Sequence, residues 1–166
     1  MTKRQLTFVV AGAAVFAAVA VTARATSSSG VVSAAIQARA AFADPVDIKF
    51  KVGAGEVIHV RESRDTVMQR IVLGPGGHTG WHSHHGPAVV LVKAGALTLF
   101  SGDDPTCTGR TYPAGQAFVD SGQGHVHIGR NLSSTDDVEL WVTYFDVPPP
   151  PGSVRVDVDD PGNCTF

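Results

Sequence analysis

His82, His84 and His127 are the residues of this chain whose types and spacing point most directly to chemistry. The first two form a His-x-His pair, and His127 opens a His-Ile-Gly-Arg-Asn stretch further along. On a strand, residues two apart project from the same face, so His82 and His84 can aim two imidazoles at one ion. The same spacing recurs at His125 and His127, which makes His125 a candidate fourth ligand. Neutral imidazole binds zinc, copper, iron and nickel, whereas magnesium and calcium call for oxygen ligands. An isolated His-x-His is usually a surface or satisfied core feature. Here it is bracketed by Pro75-Gly76-Gly77 and Gly86-Pro87, so tight loop chemistry flanks the pair.

The elements that must position these side chains read as strands. Runs at 56–62, 67–73, 87–93, 96–101, 116–120, 125–129, 137–145 and 153–158 are short and rich in β-branched or aromatic residues. Turn residues separate them, at Gly74-Pro75-Gly76, Ala94-Gly95, Gly102 to Pro105, Pro113-Ala114-Gly115 and Gly122-Gln123-Gly124. Strands at this spacing with no helix between them predict an all-β sandwich or barrel over residues 51–166. Residues 26–50 are expected to be a linker, with an Ala-rich short helix over Val31 to Phe42. In the run Val138 to Phe145, Val138, Leu140, Val142 and Tyr144 form one face and Glu139, Trp141, Thr143 and Phe145 the other. Trp81 and Phe118 are read as core or mouth-lining residues, and Pro148 to Pro151 as an extended surface connection.

Residues 1–25 carry Lys3-Arg4, a charge-free run from Leu6 to Ala23, and Ala23-Arg24-Ala25 before Thr26. This is the layout of a secretory signal peptide, with an uncleaved membrane anchor as the alternative. Export to the periplasm, cell envelope or medium is therefore expected. It fits the cysteines, because the chain has 2, Cys107 and Cys164, which an oxidising compartment would let pair. They stand alone, without the spacing of a Cys-based metal site. The 166 residues suffice for a single sizeable core, and the formal net charge of -2 without Lys/Arg clusters argues against a nucleic-acid partner. No Gly-rich phosphate loop and no Gly-x-Ser-x-Gly element is present, so nucleotide binding and serine hydrolysis have no support.

In this β context the two histidine segments resemble the two motifs of the cupin superfamily, small jelly-roll β-barrels. Gly76, His82, His84 and Gly95 fall on the spacing of the first motif. Gly115, Gly124, His127 and Asn131 fall on the second, with Gly122 in place of its Pro. The likeness spans roughly residues 67–145 and is that of a small single-domain cupin of the type-2 conserved barrel. The Glu that usually completes the cupin metal site would fall at Ala88, and neither Pro87 nor Val89 can coordinate. The resemblance therefore implies three ligands, His82, His84 and His127. Three-histidine sites of this kind are similar to those of the thiol dioxygenases.

Three neutral imidazoles leave a divalent ion its full charge, which favours an anionic ligand, and leave open positions for chemistry. The implied cofactor is one divalent transition metal, Fe(II) foremost, with Zn, Mn, Ni and Cu as alternatives. The implied activity is that of a dioxygenase-type oxidoreductase acting on a small anionic substrate. The rival reading is a non-catalytic module that binds a small ligand, and a metal-dependent isomerase or hydrolase comes third. Cupins often dimerise, so a homodimer is a further implication, while contact with a membrane would require the leader to stay attached. His85 should point away from His84, His78 sits at the expected barrel mouth, His59 is read as structural, and Asn131 as a turn residue after the second motif.

Overall fold

The computed structural model describes residues 25–53 and 55–166, so the leader proper lies outside the described residues apart from Ala25. Ten strands and no helix make up the described chain, arranged as a single nearly closed antiparallel barrel. They are β1 (Ser29–Val52), β2 (Glu56–His78), β3 (His82–Ser83), β4 (Ala88–Ala94), β5 (Ala96–Ser101), β6 (Arg110–Pro113), β7 (Ala117–Asp120), β8 (His127–Asn131), β9 (Val138–Phe145) and β10 (Val156–Asp157). The ladder runs β10-β3-β8-β2-β9-β4-β7, with β1 on β2, and with β5 joining β6 to β8. The all-β expectation therefore holds. No helix long and apolar enough to cross a membrane occurs among the described residues.

The core follows from alternation. Val138, Leu140, Val142 and Tyr144 are buried, and the opposite face of β9 is half-exposed, so the first of the two faces lines the interior. They pack with Val67, Leu73, Val90, Val92, Leu97 and Tyr112. Each fully buried aliphatic side chain of this kind contributes about 1.5–3 kcal/mol relative to its exposed state. A second cluster of Trp81, Ile128 and Cys164 forms where the C-terminal segment docks. Asn131 is 1% exposed; its Nδ2 donates to the carbonyls of Leu73, Gly74 and Asp136, and its Oδ1 accepts from the Ser133 amide. It thus fixes the turn after β8 to the end of β2, the structural role its place in the motif implied.

The helix expected over Val31 to Phe42 is corrected: this stretch belongs to β1, paired antiparallel to β2 through Ala34↔Ile71, Ala38↔Met68 and Ala40↔Thr66. Alanine's preference for helix is only a few tenths of a kcal/mol per residue over most others, and the open edge of β2 offers a continuous ladder instead. The boundary at residue 50 also falls inside β1. The turn expected at Gly74-Pro75-Gly76 is likewise corrected, since β2 runs through it to His78, and the strands expected at 56–62 and 67–73 are one. β6 was not foreseen.

Candidate metal centre

Three short elements meet at the histidines. β3 pairs with β8 at His82↔His127, and β10 covers the other edge of β3 through Val156↔Ser83 and Asp157↔His82. His84 lies just past β3, where the chain bends toward Gly86. The bend needs close backbone contact: Gly122 has φ of 61°, and a Cβ there would come within 1.9 Å of the Gly86 carbonyl oxygen. Gly122 thereby lets the two histidine-bearing segments approach where the family motif has Pro.

His82, His84 and His127 are buried at 5%, 6% and 4% exposure, and one ligand nitrogen from each lies within 4.8 Å of the others. Their ring centroids are 4.3–5.2 Å apart. The Nδ1 atoms face protein acceptors. His82 Nδ1 is 2.8 Å from the Gly80 carbonyl and His84 Nδ1 is 2.6 Å from the Val154 carbonyl. His127 Nδ1 is 3.3 Å from Asp120 Oδ1 and 3.4 Å from the His125 carbonyl. Carbonyls and carboxylates only accept, so Nδ1 carries the proton and each Nε2 keeps its lone pair. Burial lowers all three from the ordinary histidine value, His82 well below it and His127 to about 4; repulsion from neighbouring histidines adds to it at His82 and His127, and from Arg155 and His85 at His84. Three neutral, oriented, buried imidazoles fit a borderline transition metal and do not fit magnesium or calcium.

Asp120 was missed in the sequence, and its position explains a gap in the motif. Ala88, where the family pattern expects Glu, pairs across the ladder with Asp120. The carboxylate absent from β4 is thus present on the adjacent strand. Asp120 is 3% exposed; Oδ1 accepts from His125 Nδ1 at 2.9 Å and meets His127 Nδ1, while Oδ2 accepts from the Gly122 amide. It reaches the histidine group from behind His127, where a carboxylate would orient that imidazole toward a metal. Burial pushes its carboxyl up, but the His125 hydrogen bond and the neighbouring histidines outweigh this and hold it below the usual range. The available signal was an acid ending an apolar strand just before a Gly-rich turn.

His125 is brought to Asp120 and His127, and not to His82 and His84. Its second nitrogen, Nε2, meets Ser101 Oγ at 2.8 Å, so both ring nitrogens have protein partners. The hydrogen bond to Asp120 raises its affinity for a proton despite partial burial. His85 and His59 are exposed, and His78 is half-buried with Nδ1 accepting from the Gly80 amide. Cys107 and Cys164 form a disulfide with Cα atoms 5.2 Å apart, which is consistent with an oxidising compartment.

The three depressed histidines set a pH dependence for the metal-free protein. Unfolded, each takes up a proton near its ordinary value of 6.5, whereas in the fold it resists protonation, His127 down to about 4. Their stabilisation is complete above that ordinary value and is lost as pH falls through the folded values, at up to about 1.4 kcal/mol per pH unit for each histidine. Asp120 acts in the same sense at lower pH, while His125, with a raised value, opposes them. Urea denaturation of metal-free protein should therefore show stability falling between pH 6.5 and 4. A flat profile in that window would contradict the buried neutral state.

No family model and no curated protein matches the chain. Among solved structures, one of oxalate oxidase is similar at 25% identity over 49% of this chain and 41% of that one, with a TM-score of 0.42. A Cupin 2 conserved barrel domain protein from Salinispora arenicola CNS-205 is similar at 20% identity over 47% and 60%, TM-score 0.41. The polyketide cyclase RemF from Streptomyces resistomycificus is similar at 20% over 58% and 64%, TM-score 0.44. The chain thus spans less than half of the oxalate oxidase chain it matches. The nearly closed antiparallel barrel, the two glycine-framed histidine motifs and the direct His82↔His127 pairing that joins them are the arrangement that the resemblance to the cupins implies.

Proposed function

We propose that the protein is an exported cupin that holds one divalent transition metal, Fe(II) foremost, through His82, His84 and His127, and acts as a dioxygenase-type oxidoreductase on a small anionic substrate. The observation that carries this reading is the state of the three imidazoles: buried, neutral, and each with Nδ1 turned to a protein acceptor so that Nε2 is left to coordinate. A bound iron would supply activation of O2 beside a coordinated substrate. The protein's own groups do the rest. Asp120 and the carbonyls of Gly80 and Val154 hold the rings in one tautomer and orientation. The apolar walls from Ile71, Leu97, Leu99, Phe118 and Leu140 exclude water from beneath the site.

The interior below the histidines is only about 40 Å³, so a substrate approaches from the mouth, where a cavity of about 240 Å³ reaches His82 and His84. That volume lies below the roughly 300–1,000 Å³ typical of pockets for drug-sized ligands, so it suits a smaller molecule.

The experiment is oxygen uptake by Fe(II)-loaded protein, purified without an affinity tag, against a panel of thiols, phenols and carboxylates. Uptake with one class supports the oxidoreductase. Absence of uptake together with ligand-dependent thermal stabilisation overturns it in favour of a non-catalytic binding module.

A further inference from the structure

We propose that Arg155 is the anion-recognition residue of the mouth cavity and that its ligand is a small carboxylate; this rests on the anionic-substrate reading above and names the group that would select it. The cavity of about 240 Å³ is lined by His82, His84, Gln69, Tyr144 and Arg155, and Arg155 is its single permanently charged group among the described residues.

The guanidinium is fixed before any ligand arrives. Val154, the residue before it, accepts a hydrogen bond from His84 Nδ1, and Val156, the residue after it, pairs with Ser83 on β3. Its Nε is bound to Asp157 and its Nη1 to the Thr79 carbonyl, which leaves Nη2 without a protein acceptor. The side chain is 25% exposed, so it is sheltered without being sealed from solvent. It lines the same cavity as His82, His84 and Tyr144, so it shares one space with two of the histidines. An Arg that has already lost its conformational freedom and keeps an N–H unpaired is a pre-organised donor for a carboxylate oxygen. Tyr144 donates to Gln69 Oε1 at 3.0 Å, so the amide of Gln69 is turned with its oxygen committed and its NH2 free to donate as well.

The test uses the zinc-loaded full-length protein and titrates malonate and its neutral isostere malonamide by calorimetry at low ionic strength, in wild type, Arg155→Gln and Arg155→Lys. Malonate should bind wild type in preference to malonamide, Arg155→Gln should weaken malonate tenfold or more with metal content unchanged, and Arg155→Lys should keep part of the affinity. Because Arg155 also braces Asp157 and Thr79, the wild-type comparison is decisive without the variants: no preference for malonate overturns the proposal. Equal malonate affinity in Arg155→Gln with full metal content also overturns it while leaving the metal centre intact. Conversely, an Arg155-dependent malonate preference in wild type that takes up no stoichiometric zinc would sink the metal reading and leave this one standing.

Discussion

His84→Ala should reduce metal content from about one equivalent to the background of a demetallated control, measured by elemental analysis of protein purified without an affinity tag. The expected loss is large because the remaining pair, His82 and His127, cannot by itself close a three-coordinate cradle. An ion held by two imidazoles and water competes poorly with chelators in any buffer. The substitution also empties space beside Tyr144, whose ring lies 5.0 Å from that of His84, and leaves the Val154 carbonyl without its donor. A drop in stability of about 1–3 kcal/mol is therefore expected even without metal. The two effects separate cleanly when unfolding midpoints are compared with and without added zinc: wild type should be stabilised by the metal and His84→Ala should not. Unchanged metal content in the variant would remove His84 from the site. Asp120→Asn provides the graded counterpart, with affinity expected to fall about 10–100-fold because the ring of His127 loses its carboxylate partner but not its place.

Much of this centre is legible in the sequence because its residues advertise themselves by type. Histidines at His-x-His spacing between Gly-rich turns can be found without coordinates, and β5 and β9 announce themselves by alternation between turn residues. What escapes is whatever depends on register. Asp120 becomes informative only when Ala88 is seen to face it across the β4–β7 ladder, and no local pattern encodes that pairing. Arg155 escapes for the same reason: its meaning comes from β10 being laid on β3, far away in sequence.

β1 fails differently. It is exposed along most of its length, so burial imposes no strict polar–apolar alternation, and its alanines read as helix by propensity alone. The decisive interaction is the ladder with β2, a tertiary fact that overrides a weak local preference. β6 is four residues, Arg110 to Pro113, too short and too polar to stand out.

Replacing Cys107 and Cys164 together by Ser should cost about 4 kcal/mol, because the bridge closes a loop with a sequence separation of 57 that the unfolded chain must otherwise explore. For a domain of this size that corresponds to a fall in unfolding midpoint on the order of 10–15 °C. The fold itself should survive. Asn163 Nδ2 still donates to the carbonyls of Ser101 and Asp104, and Phe166 still stacks on Trp81 and lies under Arg130, so the C-terminal segment retains its own docking contacts. What weakens is the tether on the segment that carries Val154, the acceptor for His84, and Arg155 at the cavity mouth. Metal affinity should therefore fall modestly along with stability, without the complete loss expected for His84→Ala. Scanning calorimetry of wild type with and without reductant checks the assignment against the double variant: reductant should lower the wild-type midpoint to near that of the variant and leave the variant unmoved. A wild-type midpoint indifferent to reductant, with free thiols titrated in the unfolded protein, would show that the bridge contributes nothing to the folded state.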